Sequence, residues 1–190
     1  MIIGSHNSWS YLRPRQWYLR PFAWMARCQR IDVRQQYIRG VRCFDLRLLV
    51  DNSNVELAHG LMRYDYTREQ ILADLEWLDK QGDCYVRVIN EARTQSQHRA
   101  SRMMFPLSCD MLVERFIHTQ FWGGRNLYDW SIDYQFEGTE PTCCERYASV
   151  STPKLIDDWW PWLYARLHNR RIRREGTDRN ILLIDFVDIE

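Results

Sequence analysis

Short apolar runs that stop at a polar residue recur along the chain and define its predicted strands. Five segments have this character: residues 1–3, 41–49, 55–58, 84–90 and 181–187. The last of them is a continuous apolar run of the kind that is buried in parallel sheets. Too few residues separate the second and third runs for a helical crossover. If these two strands are parallel neighbours, the sequence therefore predicts an irregular connection between them.

Helical signals fill the intervals between these strands. Residues 29–39 are predicted to form a helix that ends at Gly40. A capping box at Thr67 and Gln70 begins a second helix, which has a regular apolar face and ends at Gly82. Strands and helices therefore alternate through the first half of the chain.

The second half of the chain has a less regular pattern. Residues 108–118 favour a helix and residues 126–130 a short strand, whereas residues 131–148 have no clean period and are expected to form long rim loops. Thr152, which is followed by a proline, predicts the start of a last helix that runs to about Asn169. The arginines that come next suit the negative end of a helix dipole.

This order of elements predicts the fold class. Alternating strands and helices, with polar residues at the strand ends, are typical of an α/β fold with a closed or nearly closed parallel barrel. The chain has 190 residues, whereas a full TIM barrel has about 250. We therefore expect one domain over residues 1–190, a short, distorted TIM-like (β/α) barrel with trimmed helices and long rim loops.

The segment of residues 9–27 interleaves aromatic and basic side chains, and we call it the aromatic–basic segment. It contains Trp9, Tyr11, Trp17, Tyr18, Phe22 and Trp24 together with Arg13, Arg15, Arg20 and Arg27. One interpretation is a loop with a short helix that packs over the rim of the barrel. The other is an interfacial element, because Trp, Tyr and Arg favour the headgroup zone of a membrane.

Composition narrows the class of protein. A net charge of +1 gives no reason to expect a nucleic-acid partner, and a hydrophobic content of 45% indicates a globular chain. The six cysteines include no C-x-x-C pair, so their spacing predicts buried thiols from a reducing compartment and no zinc site of the usual kind. We find no signal peptide and no run of membrane-spanning length. The expected location is therefore soluble, either cytoplasmic or secreted with the leader absent, and peripheral at membranes; the oligomeric state stays open.

Candidate chemistry lies at the strand ends, where His6, Arg47 and His59 stand. In a parallel barrel the carboxyl ends of the strands are where reacting groups converge. An imidazole can act as base or acid near neutral pH, and a fixed guanidinium can stabilise charge on phosphoryl oxygens. The three residues together suit phosphoryl transfer.

Three motifs carry a resemblance to a known family. They are GSHNS at residues 4–8, QQYIRGVRCFDLR at residues 35–47 and HG at residues 59–60. Their order and gaps closely resemble the X domain of phosphatidylinositol-specific phospholipase C, over about residues 2–92 and more loosely at residues 183–186. The joint pattern is specific, although each motif alone is weak. The resemblance implies a distorted TIM barrel with its active site at the carboxyl ends of the strands.

The resemblance also implies a mechanism. His6 matches the general base that deprotonates the inositol 2-hydroxyl, which attacks the neighbouring phosphorus and expels diacylglycerol. His59 matches the general acid that protonates the leaving oxygen, and Arg47 is placed to stabilise the phosphoryl charge. Asp185 is the candidate carboxylate that orients His6, with Asp188 as the second choice. The substrate is then a phospholipid, reached through transient contact of the aromatic–basic segment with a membrane.

Position 47 distinguishes two branches of the family. Metal-dependent members carry an acidic calcium ligand there, and metal-independent bacterial members carry arginine, so the resemblance implies no cofactor. If calcium is bound, its ligands are expected to be Asn7, Asp45 and Glu91. Asp45 matches an acidic position common to both branches, whereas bacterial members have aspartate at the position of Asn7. Otherwise Asn7, Glu91 and Arg93 are expected to contact the substrate.

The sequence argues against one alternative function and leaves two others open. A glycerophosphodiester phosphodiesterase would need a metal-binding Glu-x-Asp after the first histidine, where this chain has Asp45-Leu46-Arg47. The two others are a lipid- or inositol-phosphate-binding module that keeps the barrel without turnover, and a phosphodiesterase for another headgroup.

Overall fold

A computed structural model of the chain describes residues 2–51, 54–91, 132–133, 147–149, 160–175 and 181–189. Its strands are β1 Ile2–Ser5, β2 Cys43–Asp51, β3 Asn54–His59, β4 Met62–Arg63, β5 Tyr85–Asn90, β6 Ile132–Asp133, β7 Tyr147–Ser149 and β8 Ile181–Ile184. Its helices are a 3₁₀ helix Trp17–Phe22 and the α-helices α1 Ala23–Ala26, α2 Val33–Ile38, α3 Arg68–Gln81 and α4 Pro161–Glu175. The predicted helix at 108–118, the predicted strand at 126–130, the cap at Thr152 and the predicted substrate contact Arg93 lie outside the described residues.

The centre of the fold is a parallel sheet with strand order β7-β8-β1-β2-β5-β6. β2 pairs with β1 through Gly4 opposite Cys43, and along its other edge with β5 up to Leu48 opposite Asn90. Among the described strands this sheet is open, because β6 and β7 at its two ends do not pair with each other. The predicted mixed α/β class is confirmed. β6 and β7 also replace part of the rim loops that we expected over residues 131–148.

β2 and β3 form an antiparallel hairpin, so the condition for an irregular connection, that the two strands are parallel neighbours, is not met. Their pairing runs from Leu48 opposite Leu57 to Asp51 opposite Asn54. Because antiparallel strands can be joined by very few residues, the short interval between β2 and β3 needs no crossover. β4 then pairs with the end of β3, with His59 opposite Met62. This second tight turn places His59 at the tip of a hairpin.

Gly4 serves close packing within a strand. It lies inside β1, and a Cβ added there would come within 2.2 Å of Leu183 Cδ2 on the neighbouring β8. Only a residue without a side chain lets β1 and the Leu183 side chain approach this closely.

α3 confirms the helix predicted from its capping box. The Thr67 backbone N–H donates to Gln70 Oε1 at 2.8 Å, and the Gln70 N–H donates to Thr67 Oγ1 at 3.3 Å. Gly82 ends the helix in the left-handed conformation, at φ 84°. The buried residues Ile71, Leu75 and Leu78 join the core that covers one face of the sheet.

The two other predicted helices have different bounds. α2 begins only at Val33, because the Asp32 carboxylate caps it by accepting from the Gln35 N–H. α4 continues to Glu175 and includes the arginines that were expected to follow it. In the described ranges, none of the helices has the length and apolar character that crossing a membrane requires.

Candidate active site

The candidate site forms where parallel strands end. His6 directly follows β1, Asp185 directly follows β8 and Glu91 directly follows β5, while Arg47 lies at the middle of β2. In the sheet β8, β1, β2 and β5 are parallel and adjacent to one another in that order. Their carboxyl ends therefore lie at the same edge of the sheet, where these side chains meet. The alternation along β2 sends Phe44, Leu46 and Leu48 into the core. Asp45 and Arg47 therefore face the site.

His6 and Asp185 form a buried hydrogen-bonded pair. His6 Nδ1 lies 2.7 Å from Asp185 Oδ1, and the exposed fractions of the two residues are only 6% and 4%. Arg47 Nη2 lies 2.8 Å from the other ring nitrogen, Nε2. A guanidinium only donates, so Nε2 must accept and the ring proton must be on Nδ1, where it is donated to Asp185. The geometry thus defines one tautomer of His6, with its basic nitrogen directed toward Arg47.

Arg47 is held from two sides by carboxylates. Its Nε donates to Asp45 Oδ2 at 2.8 Å, and its Nη1 donates to Glu91 Oε1 at 2.7 Å. Burial alone would lower the pKa of Arg47, but Asp45 and Glu91 outweigh it and raise the pKa above its ordinary value. Arg47 is therefore a permanent, fixed cation beside His6.

Glu91 links this cation to the His59 turn. Its second oxygen, Oε2, accepts a hydrogen bond from the Gly60 N–H at 3.0 Å. Burial alone would raise the pKa of Glu91, but the Arg47 guanidinium outweighs it and keeps the pKa low. The Glu91 carboxylate therefore stays ionised and fixes the His59–Gly60 turn against Arg47.

His59 faces His6 across the site. The centres of the two rings are 6.0 Å apart and their planes are perpendicular, at 89°. His59 Nδ1 lies 2.9 Å from the Ala26 carbonyl oxygen, which can only accept, so Nδ1 carries a proton and Nε2 is the nitrogen left to titrate. Burial and the nearby Arg47 lower the pKa of His59 to about 4. His59 is consequently neutral near pH 7 in the unliganded chain.

The residue that follows each member of the His6–Asp185 pair has a strained backbone conformation. Asn7 has φ 43° and Phe186 has φ 47°, both in the left-handed region that residues other than glycine seldom adopt. Asn7 is held there by its backbone N–H, which donates to Asp45 Oδ2 at 2.9 Å, and Phe186 by its N–H, which donates to the Cys28 carbonyl oxygen. Such local strain is frequent at functional sites.

The structure separates the two candidates for the orienting carboxylate. Asp185 contacts His6, whereas Asp188 forms an ion pair with Arg30. The expected calcium ligands Asp45 and Glu91 both bind Arg47, and Asn7 contacts the same Asp45 carboxylate through its backbone. The sequence therefore named residues that the fold brings together, with Asp188 as the exception.

Gln29 is a supporting residue that the sequence analysis missed. Its Nε2 donates to the carbonyl oxygens of His6 at 3.1 Å and Ile184 at 2.9 Å, and its Oε1 accepts from the Val187 N–H at 3.1 Å. The buried Asn169 adds a hydrogen bond from Nδ2 to the Asp185 carbonyl oxygen at 2.8 Å. Neither residue carries a local signal, because each contact joins segments that are remote in the sequence.

The aromatic–basic segment lies beside the site. It supplies Ala26, whose carbonyl accepts from His59, and Gln16, whose Nε2 donates to the Leu61 carbonyl at 2.9 Å. Its outer side chains are strongly exposed: Trp17 75%, Tyr18 57%, Phe22 53% and Trp24 45%. Trp9 differs, because it is buried in the core and its Nε1 donates to Asp74. The segment is thus a loop with short helices that presents an apolar surface next to His59.

Comparison with solved structures shows which known folds the chain resembles. The chain is similar to the phosphatidylinositol-specific phospholipase C of Listeria monocytogenes, with a TM-score of 0.58 at 15% identity over 97% of this chain and 87% of that one. A double mutant of the Staphylococcus aureus enzyme gives a TM-score of 0.38 at 24% identity over 47% of this chain and 29% of that one. A second structure of the Staphylococcus aureus enzyme, which concerns its membrane binding, gives a TM-score of 0.40 at 20% identity. This match covers 56% of this chain and 37% of that one. No family model and no curated protein matches the sequence.

Proposed function

We propose that this chain is a phosphodiesterase of the phosphatidylinositol-specific phospholipase C type. Its reaction would break the bond between phosphorus and the glycerol oxygen of phosphatidylinositol-like lipids. The observation that carries the proposal is the connected set Asp185, His6 and Arg47 at the strand ends, with His59 facing it. The fold that the chain shares with the Listeria enzyme supports the same proposal, including closure of the sheet into a distorted barrel.

In the first step His6 acts as the base. Its Nε2 takes the proton of the inositol 2-hydroxyl while that oxygen attacks phosphorus, and Asp185 stabilises the imidazolium that forms. In the unliganded chain, His6 Nε2 accepts a hydrogen bond from Arg47 Nη2. Substrate binding must therefore redirect this N–H of Arg47 to a phosphoryl oxygen. The guanidinium then stabilises charge at the atom where it accumulates.

His59 would act as the acid on the other side of the phosphorus. The proton leaves from Nε2, since Nδ1 is held by Ala26, and goes to the glycerol oxygen as the bond to phosphorus breaks. The low pKa of His59 arises from burial first and then from Arg47. A phosphodiester anion beside Arg47 offsets its charge, so substrate binding should raise the pKa of His59 and let it take up the proton it must donate.

We propose that Arg47 supplies the cation of the site and that calcium is not required. The guanidinium lies between Asp45 and Glu91, two of the three side chains that would otherwise hold the ion. A calcium ion there would have to displace both hydrogen-bonded ion pairs.

The aromatic–basic segment is proposed to contact the lipid surface. Its exposed tryptophans belong to a segment that contacts His59 through Ala26 and the following turn through Gln16, and tryptophan side chains favour the membrane interface. A lipid headgroup reaching the site would thus meet His59 and this segment together.

Turnover by a His6→Ala variant tests the proposal against a binding module. We expect release of diacylglycerol from phosphatidylinositol vesicles to fall by about 10²- to 10⁴-fold, with vesicle binding unchanged. Wild-type protein that binds vesicles or inositol phosphate without any turnover would support the binding module instead. A His168→Ala variant, altered on α4, serves as the matched control.

A further inference from the structure

Cys28 joins the His6–Asp185 pair to form a compact cluster of metal-binding atoms. One donor atom of each residue lies within 4.8 Å of the others. The three residues are buried, with exposed fractions of 2% for Cys28, 6% for His6 and 4% for Asp185. A thiolate, an imidazole and a carboxylate are the three protein donors that zinc uses.

We propose that His6, Cys28 and Asp185 bind a single divalent ion of the zinc type, and that this ion switches the site off. The binding of the ion does not depend on the proposed function, whereas its inhibitory effect rests on it. The residues lie far apart in the sequence, at 6, 28 and 185, so cysteine spacing alone gave no indication of this site.

The geometry requires only small side-chain movements. Donor atoms around a tetrahedral zinc ion lie about 3.3 to 3.7 Å apart, from bond lengths of about 2.0 to 2.3 Å. The His6 Nδ1 to Asp185 Oδ1 separation of 2.7 Å must therefore open slightly. The Cys28 thiol, which now points to the Ala26 carbonyl at 3.8 Å, must turn inward.

The charges of the cluster favour a dication. Asp185 and an ionised Cys28 together carry two negative charges, and Arg47 is already offset by Asp45 and Glu91. Burial, followed by the Asp185 carboxylate, raises the pKa of the Cys28 thiol. A cysteine binds a metal ion as the thiolate, so binding releases the thiol proton to solvent.

Coordination would remove the base. A metal on Nδ1 uses the lone pair of that nitrogen, so the ring proton of His6 must move to Nε2. A protonated Nε2 cannot accept the proton of a substrate hydroxyl, and it can no longer accept from Arg47. One ion thus abolishes the tautomer of His6 that the proposed reaction needs.

Titration of the intact chain with Co²⁺ alone tests the site without any substrate. We expect one ion per chain, with thiolate-to-cobalt charge-transfer absorption in the near ultraviolet that Zn²⁺ abolishes by displacement. Cys28→Ser should lose this absorption, because a hydroxyl is a poor ligand. Cys84→Ser, a substitution at a buried cysteine beside Asp83, should keep it.

The outcomes are distinct. Absence of the charge-transfer band in wild type, or an equal band in Cys28→Ser, overturns the site. If Cys28→Ser does not fold, Asp185→Asn replaces it, and its cobalt affinity should fall at least tenfold. Zn²⁺ should also raise the Tm of wild type more than that of either variant.

The second measurement is inhibition of turnover by Zn²⁺. The quantity compared between variants is the Zn²⁺ concentration that halves the turnover each variant shows without metal. It should rise at least tenfold in Cys28→Ser and be reversed by EDTA in wild type. Cobalt binding without inhibition would keep the site and refute its inhibitory effect. Cobalt binding in a chain without turnover would count against the proposed function alone.

Discussion

At the residue scale, each histidine of the site is oriented through its Nδ1 atom. Asp185 fixes Nδ1 of His6, and the Ala26 carbonyl fixes Nδ1 of His59. In the proposed reaction both Nε2 atoms transfer protons, and that of His6 becomes available once substrate binding has redirected the Arg47 N–H that it now accepts. The role of Asp185 can be tested by removing its charge while keeping the shape of the side chain.

Asp185→Asn should reduce kcat by about 10²- to 10⁴-fold, because the amide can present its NH₂ to Nδ1 and stabilise the wrong tautomer of His6. KM should change little, since the backbone around Asp185 is held by Gln29 and Asn169. The measurement is steady-state turnover of phosphatidylinositol. Asp188→Asn, which only breaks the ion pair with Arg30, is the control. Equal losses in the two variants would refute the orienting role.

Arg47→Lys should distinguish the contribution of the positive charge from that of the planar arrangement of guanidinium donors. A lysine ammonium cannot bond Asp45, Glu91 and His6 simultaneously in one plane, so kcat should fall by about 10²- to 10³-fold. Arg47→Gln should in addition lower the free energy of unfolding by about 3 to 5 kcal/mol, because two buried carboxylates lose their partner. Urea denaturation and turnover of both variants check this. A lysine variant with wild-type kcat would contradict it.

The pKa of His59 predicts a loss of stability in acid. This pKa is about 4 in the folded chain, whereas an unfolded histidine has about 6.5. The unfolded state therefore binds more protons between these pH values, and stability should fall as pH drops from about 6.5 to about 4. The contribution of Glu91, whose folded pKa is lowered, is lost at the acid end of this range.

The measurement is the thermal unfolding midpoint as a function of pH. His59→Gln keeps an N–H donor for Ala26 and removes the titrating group, so its midpoint should decline less than that of wild type between about pH 6.5 and 5. Parallel curves for the two proteins would show that His59 titrates normally in the folded state.

At the element scale, the aromatic–basic segment makes a prediction of its own. Trp17→Ala with Trp24→Ala should reduce turnover on phosphatidylinositol vesicles at least tenfold more than turnover of a soluble substrate. The reason is that these exposed side chains would anchor the rim beside His59 to the interface. Ile38→Ala is the matched control, since Ile38 is 78% exposed on α2 at the amino end of the sheet. Equal losses on both substrates would exclude an anchoring role.

Elements with local signals were predictable, and those set by distant contacts were not. α3 follows from its capping box and from Gly82, which act within the helix itself. α2 is shorter than predicted because Asp32 caps it and because Gln29, expected inside the helix, turns inward to β1 and β8. The antiparallel pairing of β2 with β3 was not predicted, because the short interval between these two apolar runs was considered only for parallel strands of a barrel.

At the scale of the whole molecule, the fold brings together residues that are remote in the sequence and that the motifs at residues 4–8, 35–47 and 59–60 contain. Parallel pairing of β1 with β2 and β8 brings His6, Arg47 and Asp185 together without any local contact. The motifs contain His6 and Arg47, and Asp185 follows from the looser resemblance at residues 183–186, but neither gave information about Cys28, Gln29 or Asn169. Those three come from segments whose position depends on the packing around the sheet.

The most direct test of the account is the product of phosphatidylinositol cleavage in the presence of a metal chelator. We predict that wild-type chain releases diacylglycerol and a cyclic inositol phosphate, and that the rate with chelator equals or exceeds the rate without it. Arg47 would then be the cation that stabilises the phosphoryl charge. Activity that disappears with the chelator and returns with calcium would contradict the account, because Asn7, Asp45 and Glu91 would then have to bind the ion.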